Sequence, residues 1–507
     1  MRLPIRLLVA TAAGAATVFS FAPFHVWPLA IISLVILFSL WAHSPTAGQA
    51  AAIGFAWGMG LFLAGVSWLY VSLHVYGGMP APMAAVAILM FCGYLALYTT
   101  LAGWLQARFS VPPATRFLLL MPAVFVGAEI LRAWIVSGFP WLILGYTQVP
   151  SPLSLVPLAG YAPIFGVFGI SGLLAMTAGA IVVVSPKLSG ILPAPRRRLA
   201  IVFTIVWLGG IVAAAIQWSS PSGEPVTVSL IQGNIAQNLK WREDQRAATI
   251  EVYLGLVEKS RGRLIVLPET ALPMMLHDVP SHVLTVFQQQ AQANGGDLLF
   301  GVAYRDQHAS ADGKIDYFNG AVSVGTSPVQ RYAKQHLVAF GEFVPPLFSW
   351  VYQWLNIPLS GFTPGTISPP PLRLAGHAVG INICYEDTFG AEIAQSLPEA
   401  ELLINISNMA WYGRSLAADQ HLQFSQMRAL ETARWMLRST NTGVTAAIDD
   451  KGRIVKVLPQ FARDVLEVEA VPRQGPTPYS RWRDTPIKLL LAATLLFSWW
   501  QHRRRAK

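Results

Sequence analysis

Acidic side chains divide this chain into two parts. Residues 1–218 contain a single carboxylate, that of Glu129, while the other 25 of the 26 acidic residues lie between Glu224 and Asp484. A charged side chain at the centre of a bilayer costs about 2.5–3.5 kcal/mol in insertion experiments. A long stretch with one acid is therefore typical of a membrane block, and the remainder is expected to be a water-exposed domain.

Eight apolar segments are candidate membrane spans, since a bilayer core requires about 17–25 mostly apolar residues. They lie at roughly 7–23, 27–43, 51–72, 83–106, 117–136, 163–185, 199–218 and 486–500. The last is the weakest, although Lys488 could snorkel to an interface. The uncharged stretch 133–186 is too long for one span, so its Gly/Pro-rich beginning is predicted to be a loop that lies at the interface or re-enters it.

Lysine and arginine predict the orientation of these spans. The chain has a net charge of +10, but the surplus flanks the candidate spans, and residues 219–485 hold slightly more acids than bases. Positive charge in these positions determines how the spans are oriented in the membrane. The pattern argues against nucleic acid as a partner. It predicts a cytoplasmic N-terminus, an external domain and a cytoplasmic basic tail. The first segment could instead be a signal peptide, because Arg2 and Arg6 precede it.

The external domain is predicted to be α/β. Short β-branched runs alternate with helical patterns at 244–260, 280–294 and 415–437, which favours sheets covered by helices. The predicted strands are 226–232, 263–268, 297–303, 378–384, 401–407 and 443–449. The expected domains are a membrane domain with seven transmembrane helices at 1–218, a catalytic domain at 219–485, and an eighth transmembrane helix with the basic tail at 486–507.

The first chemical motif is LIVLPET, in which a buried strand ends at Pro268 and presents Glu269. Alone, this carboxylate is also compatible with a helix cap or a solvent-facing group.

The second motif is YAKQHLVAFGEFVP, which contains Lys334 and, eight residues later, Glu342. Lys334 alone would most often be a solvated charge. Glu342 has apolar neighbours, so a charge there requires a partner.

The third motif is GINICYED, in which a strand leads into Cys384, Tyr385 and Glu386. A strand end holds a nucleophile rigidly, although a buried inert cysteine is the alternative. The ten histidines form no HExxH motif and the two cysteines no CxxC motif, so no metal or other cofactor is predicted.

Together, the order Glu–Lys–Cys resembles the carbon–nitrogen hydrolase (nitrilase) superfamily. Longer motifs are similar to those of the apolipoprotein N-acyltransferase family, and the resemblance covers essentially the full chain. These motifs are QGNIAQNLKW, LPETALP, KQHLVAFGEFVP, CYED, ISNMAWYG and MRALETARWMLRSTNTG. The resemblance implies an integral membrane α-helical bundle with a nitrilase-like α-β-β-α sandwich. It also implies a multi-pass protein of the bacterial inner membrane whose catalytic domain lies in the periplasm.

The resemblance implies an activity as well. This family transfers an acyl chain from a phospholipid, typically phosphatidylethanolamine, to the α-amino group of the diacylglyceryl-modified N-terminal cysteine of a lipoprotein, through a thioester on the enzyme. By motif, Cys384 would be the nucleophile, Glu269 the general base and Lys334 the oxyanion stabiliser. The supporting residues would be Glu342, Tyr385 and Glu386, and the substrate-binding residues Trp241 and Trp411.

Several interpretations stay open. The triad also fits a membrane-tethered amidase, and a transporter or scaffold is disfavoured because its spans would carry charged midplane sites. The aromatic segment 348–362 could be a lid that dips into lipid or an ordinary packed loop. Glu129 and Arg132, one helical turn apart, could pair with each other or meet a lipid headgroup. Met409 departs from the polar or acidic residue frequent in relatives, and we expect it to alter the pocket lining or the acceptor preference.

Overall fold

The computed structural model describes residues 2–185, 196–305, 315–344 and 361–505. The chain forms two compact units. One comprises Met1–Tyr70, Pro80–Ile216 and Trp482–Lys507, and the other comprises Val71–Met79 and Gln217–Arg481. The first unit is helical and the second contains the sheets. The short segment Val71–Met79 therefore belongs to the unit that carries the Glu–Lys–Cys motifs, although its neighbours in sequence belong to the helical unit.

The helical unit has a helix in each predicted span. The main helices are Leu3–Ala16, Pro28–Ala42, Ala47–Val66, Ala81–Arg108, Met121–Arg132, Ala162–Val184, Arg196–Ala213 and Thr485–Arg505. Within the described ranges, five segments are long and apolar enough to cross a membrane: Leu3–Ser20, Ala47–Val66, Ala81–Arg108, Pro113–Arg132 and Pro157–Val184. Pro28–Ala42 is apolar but shorter. The helical membrane region is confirmed, and the count of eight spans stays a prediction.

The Gly/Pro-rich segment after the helix Met121–Arg132 has short 3₁₀ turns at Ile135–Ser137, Leu144–Gln148 and Pro157–Tyr161. Its residues 140–149 are buried within the helical unit. Glu129 accepts a hydrogen bond from the amide of Leu144 at 2.9 Å, and Arg132 donates to the carbonyl oxygens of Phe139 and Trp141 at 2.5 Å each. These two charged side chains thus hold the loop by satisfying its backbone groups.

Fifteen strands lie in the described part of the second unit. They are β1 Ser220–Pro221, β2 Val226–Gln232, β3 Leu264–Val266, β4 Leu272–Met275, β5 Asp297–Arg305, β6 Tyr317–Gly325, β7 Gln330–Ala333, β8 Leu372–Leu374, β9 His377–Ile383, β10 Leu402–Ser407, β11 Trp435–Thr440, β12 Ala446–Ile448, β13 Ile454–Val457, β14 Asp464–Ala470 and β15 Arg473–Gln474. One sheet has the order β14-β2-β3-β5-β6-β7, with β4 beside β5. The other has the order β13-β12-β11-β10-β9-β8, and β1 pairs with β15.

The two large sheets face each other and carry helices on their outer faces. Alternation along β3 shows this, because Leu264 and Val266 join the core shared with the second sheet while Ile265 packs towards the helices. The helices Arg246–Lys259 and Ser281–Ala293 cover the first sheet, and Ala417–Thr432 packs against the second. The predicted α-β-β-α sandwich is confirmed.

The predicted helix at 415–437 is wrong at its C-terminal end. The helix ends at Thr432, because Ala433 adopts a left-handed conformation with φ of 50°. The chain then enters β11, a fully buried strand that the helical pattern concealed. Its polar members, among them Arg438, form hydrogen bonds with other buried groups, so hydrophobic periodicity does not reveal the strand. The predicted strand 443–449 is likewise reduced to Ala446–Ile448.

The close approach of β5 to the segment bearing Glu269 gives a first prediction. A Cβ atom on Gly301 would lie 2.5 Å from the carbonyl oxygen of Pro268 and 2.7 Å from the Cα atom of Glu269. Since both neighbours are backbone atoms, Gly301→Ala must displace that segment. We expect at least a tenfold loss of the acyl transfer that the family resemblance implies, measured as turnover per folded molecule. Gly255→Ala is the control, because its Cβ meets nothing within 4 Å. Full activity in Gly301→Ala would contradict the expectation.

Candidate active site

Three strand ends deliver the residues of the predicted triad. Glu269 follows β3 after two residues, while Lys334 directly follows β7 and Cys384 directly follows β9. The strands β3 and β7 belong to one sheet and β9 belongs to the other. The site is therefore built where corresponding ends of the two facing sheets meet, and it draws on residues that are distant in sequence.

A buried cluster of charges surrounds the Lys334 ammonium. Its Nζ lies 2.9 Å from Oε1 of Glu342 and 3.6 Å from Oε1 of Glu269. Lys334 is 1% exposed and Glu269 is 7% exposed. Isolated charges would not tolerate this burial, so the two carboxylates and the ammonium stabilise one another. Burial alone lowers the pKa of Lys334, but Glu342 and Glu269 outweigh it and hold that pKa above its ordinary value.

Asn319 of β6 joins the two carboxylates. Its Nδ2 donates to Oε1 of Glu269 at 2.8 Å and to Oε1 of Glu342 at 2.6 Å. The amide has two N–H donors on that nitrogen, so both bonds form at once. Asn319 was not singled out from the sequence. In the sequence it is one asparagine in a strand that also contains the buried Ser323, so no local pattern marks it.

The two glutamates differ in their partners. The second oxygen of Glu342 accepts from the amide of Val338 at 2.7 Å, and the second oxygen of Glu269 accepts from the amide of Asn408 at 2.9 Å. Glu342 is the closer counter-ion of Lys334, by 0.7 Å. Glu269 is thus the less strongly paired carboxylate, and it also acts more strongly on the thiol of Cys384.

Cys384 holds a neutral thiol in the absence of substrate. The pKa of this thiol is raised to about 12, first by burial and then by the carboxylate of Glu269, against the opposing effect of Lys334. Like Lys334, a hydrogen bond with the Ser407 side chain acts to lower the pKa of this thiol. Because the thiolate is the reactive form, a proton acceptor is required when the sulfur attacks.

Glu386 braces the loop after Lys334 against the turn that carries Cys384. One carboxylate oxygen accepts from the amides of Gln335 and His336 at 2.6 and 3.2 Å, and the other accepts from the Tyr332 hydroxyl and the Ile383 amide at 2.8 and 2.6 Å. Burial raises the pKa of Glu386 to about 7, while Lys334 and these donors oppose the rise. With both oxygens engaged, Glu386 supports the arrangement of the site and is not a free base.

Lys240 is a second buried amine near the triad that sequence analysis passed over in favour of the adjacent tryptophan. It is 1% exposed, and its Nζ donates to the backbone carbonyl of Glu269 at 3.3 Å. Burial lowers its pKa to about 8, against the opposing charge of Glu269. The segment bearing Glu269 is therefore held by an ammonium as well as by Asn319.

Among the described residues no group of metal-binding side chains occurs.

Comparison with known proteins identifies the family. The sequence model described as "Apolipoprotein N-acyltransferase N-terminal domain" matches residues 13–180, and that described as "Carbon-nitrogen hydrolase" matches residues 227–474. The apolipoprotein N-acyltransferase of Nitrosomonas europaea is 46% identical over 493 residues, which cover 97% of this chain and 96% of that protein. The chain belongs to the apolipoprotein N-acyltransferase family.

Two further members of the apolipoprotein N-acyltransferase family extend the comparison. The protein of Chromobacterium violaceum is 42% identical and covers 100% of this chain and 96% of its own length. That of Vibrio cholerae is 37% identical, with coverage of 99% and 98%. The similarity therefore includes the helical unit together with the nitrilase-like domain, as the sequence motifs predicted.

The aromatic residues implied by the apolipoprotein N-acyltransferase motifs lie at different depths. The ring of Tyr385, 9% exposed, packs edge-on against Phe389 at a centroid distance of 5.3 Å. Trp411 is partly buried and meets the ring of Tyr76 edge-on at 6.2 Å. Trp241 is also partly buried and directly follows Lys240. Their roles in substrate binding stay predictions, and the proposed lid at 348–362 lies outside the described residues except for its last two.

Met409, the departure from the family pattern, is 2% exposed. Its sulfur lies 3.0 Å from Nδ1 of His421, a residue whose other ring nitrogen contacts the Cys384 carbonyl oxygen. Met409 is thus separated from the Cys384 backbone by the ring of His421. Its expected influence on the pocket lining or the acceptor preference stays a prediction.

The raised pKa of Cys384 predicts the pH dependence of its alkylation. As pH rises towards the thiol pKa the thiolate fraction increases, so the rate of modification by iodoacetamide should rise about tenfold per pH unit from pH 7 to 10 without a plateau. Peptide mass spectrometry assigns the adduct to Cys384, and Cys384→Ser gives the background from Cys92. A rate that levels off between about pH 9 and 10, as for an ordinary exposed thiol with a pKa near 8.5, would contradict the burial of this group.

Proposed function

We propose that this protein transfers a fatty acyl chain from a phospholipid to the α-amino group of the diacylglyceryl-modified N-terminal cysteine of lipoproteins. The observation that carries the proposal is the buried Lys334 ammonium, which lies between two carboxylates and acts electrostatically on Cys384. Membership of the apolipoprotein N-acyltransferase family supplies the class of acceptor. The donor is proposed from the resemblance alone, with phosphatidylethanolamine as the first candidate.

In the first half-reaction, Sγ of Cys384 attacks the carbonyl carbon of the phospholipid ester while Glu269 accepts the thiol proton. The C–O bond of the ester then breaks, the proton passes to the departing oxygen, and a lysophospholipid leaves. Glu269 suits the role of base because it is less strongly paired with Lys334 than Glu342 is. The acyl chain remains on the enzyme as a thioester.

Lys334 stabilises the oxyanion that develops on the ester oxygen. Its pKa above the ordinary value keeps the ammonium protonated, so it acts as a fixed positive charge and not as a base. Glu342 holds it in position before the substrate arrives, and Asn319 in turn holds Glu342. A preorganised charge in a buried site is worth more than the same charge in water, since nothing needs to reorient during the reaction.

In the second half-reaction, the α-ammonium of the lipoprotein cysteine gives a proton to Glu269. The free amine attacks the thioester carbonyl carbon, the C–S bond breaks, and the second proton of the amine passes to the departing sulfur, which restores the thiol of Cys384. Glu269 then releases its proton to solvent. The products are an amide on the lipoprotein and the free enzyme. Apolar surroundings of the site limit competing hydrolysis of the thioester by water.

The helical unit supports a reaction between two lipids. We propose that residues 1–218 form seven spans, that 486–507 contain the eighth and the cytoplasmic tail, and that the catalytic domain, 219–485, lies on the periplasmic side of the bacterial inner membrane. The distribution of lysine and arginine around the spans supports this orientation. A soluble amide would require no more than one anchoring helix, which disfavours the alternative of a membrane-tethered amidase.

Mass measurement of the acyl-enzyme tests the proposal. After incubation of the detergent-purified protein with phosphatidylethanolamine, we expect one fatty acyl group on Cys384 and an equimolar amount of lysophospholipid. Cys384→Ala should form no adduct. Lys334→Ala should slow thioester formation by about 10²–10³-fold, as expected for loss of an oxyanion-stabilising group. Glu269→Gln should block it, because the amide cannot accept the proton.

Addition of a diacylglyceryl peptide with a free N-terminal cysteine should then discharge the thioester and yield the N-acyl peptide. The same peptide with an acetylated amino group is the matched control, and it should leave the thioester intact. Transfer by Cys384→Ala would refute the nucleophile. Release of ammonia from small amides without acylation of the peptide would favour the amidase.

A further inference from the structure

A buried polar layer lies beneath Cys384, and the proposed reaction does not use it. His421, Asp387 and Arg438 are each at most 1% exposed. His421 and Arg438 come from the helix Ala417–Thr432 and from β11, respectively, while Asp387 lies three residues beyond the nucleophile. Buried polar groups of this kind are retained when they fix a conformation or tune a site.

The contacts determine which nitrogen of His421 carries the proton. Nη2 of Arg438 lies 3.0 Å from Nδ1 of His421, and a guanidinium can only donate, so Nδ1 accepts. Nε2 therefore bears the hydrogen. It is shared between Oδ1 of Asp387 at 2.7 Å and the carbonyl oxygen of Cys384 at 3.2 Å. Burial, followed by the charge of Arg438, lowers the pKa of His421 against the effect of Asp387, which agrees with a neutral ring.

Arg438 and Asp387 hold this ring from two sides. Nη1 of Arg438 contacts Oδ2 of Asp387 at 3.1 Å and Oδ1 of Asn405 at 2.7 Å. The Ser425 hydroxyl donates to the same Asp387 oxygen at 2.6 Å. Nδ2 of Asn405 in turn donates to the Cys384 carbonyl oxygen at 3.1 Å. Two donors from one connected network thus converge on the backbone oxygen of the nucleophile.

The backbone at Cys384 requires such support. Its φ is +53°, in the left-handed region that a residue with a Cβ atom rarely adopts. Strained conformations persist only where the surrounding structure imposes them, and they concentrate at functional sites. Release of Cys384 into an ordinary extended or helical conformation would turn its sulfur away from Glu269 and Lys334.

We propose that His421 is a positioning residue for Cys384, whose Nε2–H bond to the Cys384 carbonyl oxygen holds the nucleophile in its left-handed conformation. Asp387 and Arg438 fix the tautomer and the plane of the ring, and Asn405 supplies the second donor. His421 touches neither the acyl group nor the sulfur in this role. The proposal rests on Cys384 as the nucleophile of the proposed function, but its physical content is the conformation of one residue.

A double-mutant cycle measures that conformation without reference to activity. Glycine tolerates a positive φ and alanine does not, so Cys384→Gly should unfold at a higher temperature than Cys384→Ala, by about 2–4 °C for a domain of this size. In the His421→Leu background the backbone is free to relax. The difference between the glycine and alanine variants should then fall below about 1 °C, since the two sites are coupled.

Gln426→Leu is the matched control for this cycle. Gln426 lies in the same helix, is equally buried and donates to the carbonyl oxygen of Gly452 at 2.9 Å, outside the network. We expect this variant to lower the unfolding temperature while it preserves the full difference between Cys384→Gly and Cys384→Ala. A merely structural role of His421 would make the two leucine variants behave alike.

A kinetic arm completes the test. With Cys384 intact, His421→Leu should slow single-turnover acylation at saturating phospholipid at least tenfold per folded molecule, whereas Gln426→Leu should not. His421→Gln should recover most of the rate, because its amide carries two N–H donors for Asp387 and the Cys384 carbonyl. His421→Asn is one methylene shorter and should not. If His421→Leu fails to fold, the glutamine and asparagine variants replace it in the thermal cycle.

The outcomes separate this inference from the proposed function. An undiminished glycine–alanine difference in His421→Leu, or wild-type acylation by that variant, would overturn the positioning role while Cys384 remained the nucleophile. If the difference in unfolding temperature between the glycine and alanine variants is lost in His421→Leu, but no acyl group is found on Cys384 in the parent protein, the proposed function would be overturned and the structural coupling would stand. The expected result is that His421→Leu removes the difference in unfolding temperature between the glycine and alanine variants and also slows acylation.

Discussion

The buried ammonium of Lys334 is the constraint on which the rest of the site depends. Desolvation of one unpaired charge would cost several kcal/mol, so the fold must bring carboxylates to it. Glu342 and Glu269 approach within 2.9 and 3.6 Å, and Asn319 binds both. The cluster has one more negative than positive charge before Lys240 is counted. That amine, beside the Glu269 backbone, reduces the imbalance.

Packing of the two sheets against each other explains why the site is rigid. Each chemical group sits at the end of a strand, and strand ends in two packed sheets are fixed by the core between them. The remaining freedom lies in the loops, and side-chain braces remove it. Glu386 ties the loop after Lys334 to the turn at Cys384 through four hydrogen bonds. Both oxygens of this carboxylate are therefore occupied by donors from the loop and the turn that it joins.

Sequence predicted the parts of this protein that follow from local pattern or from motif. The distribution of acids indicated the membrane block, and β-branched runs located β2, β5, β9 and β10. Motif similarity brought Glu269, Lys334 and Cys384 together, which spacing alone could not do, since their proximity depends on how two sheets face each other. Hydrophobic periodicity failed at β11, because a buried strand with charged and hydroxyl side chains has no apolar alternation to detect.

The residues missed from sequence share a physical property: each is polar, buried and defined by its partners. Asn319 and His421 gain their roles from acceptors and donors distant in the chain, so no local pattern distinguishes them from an ordinary strand asparagine or helix histidine. The thiol pKa of about 12 is similarly a property of the assembled site. A thiol that is neutral at rest is protected from adventitious electrophiles, because only the thiolate is strongly nucleophilic. In the proposed reaction this thiol becomes reactive only when a substrate carbonyl is present and a base, for which Glu269 is the candidate, accepts its proton.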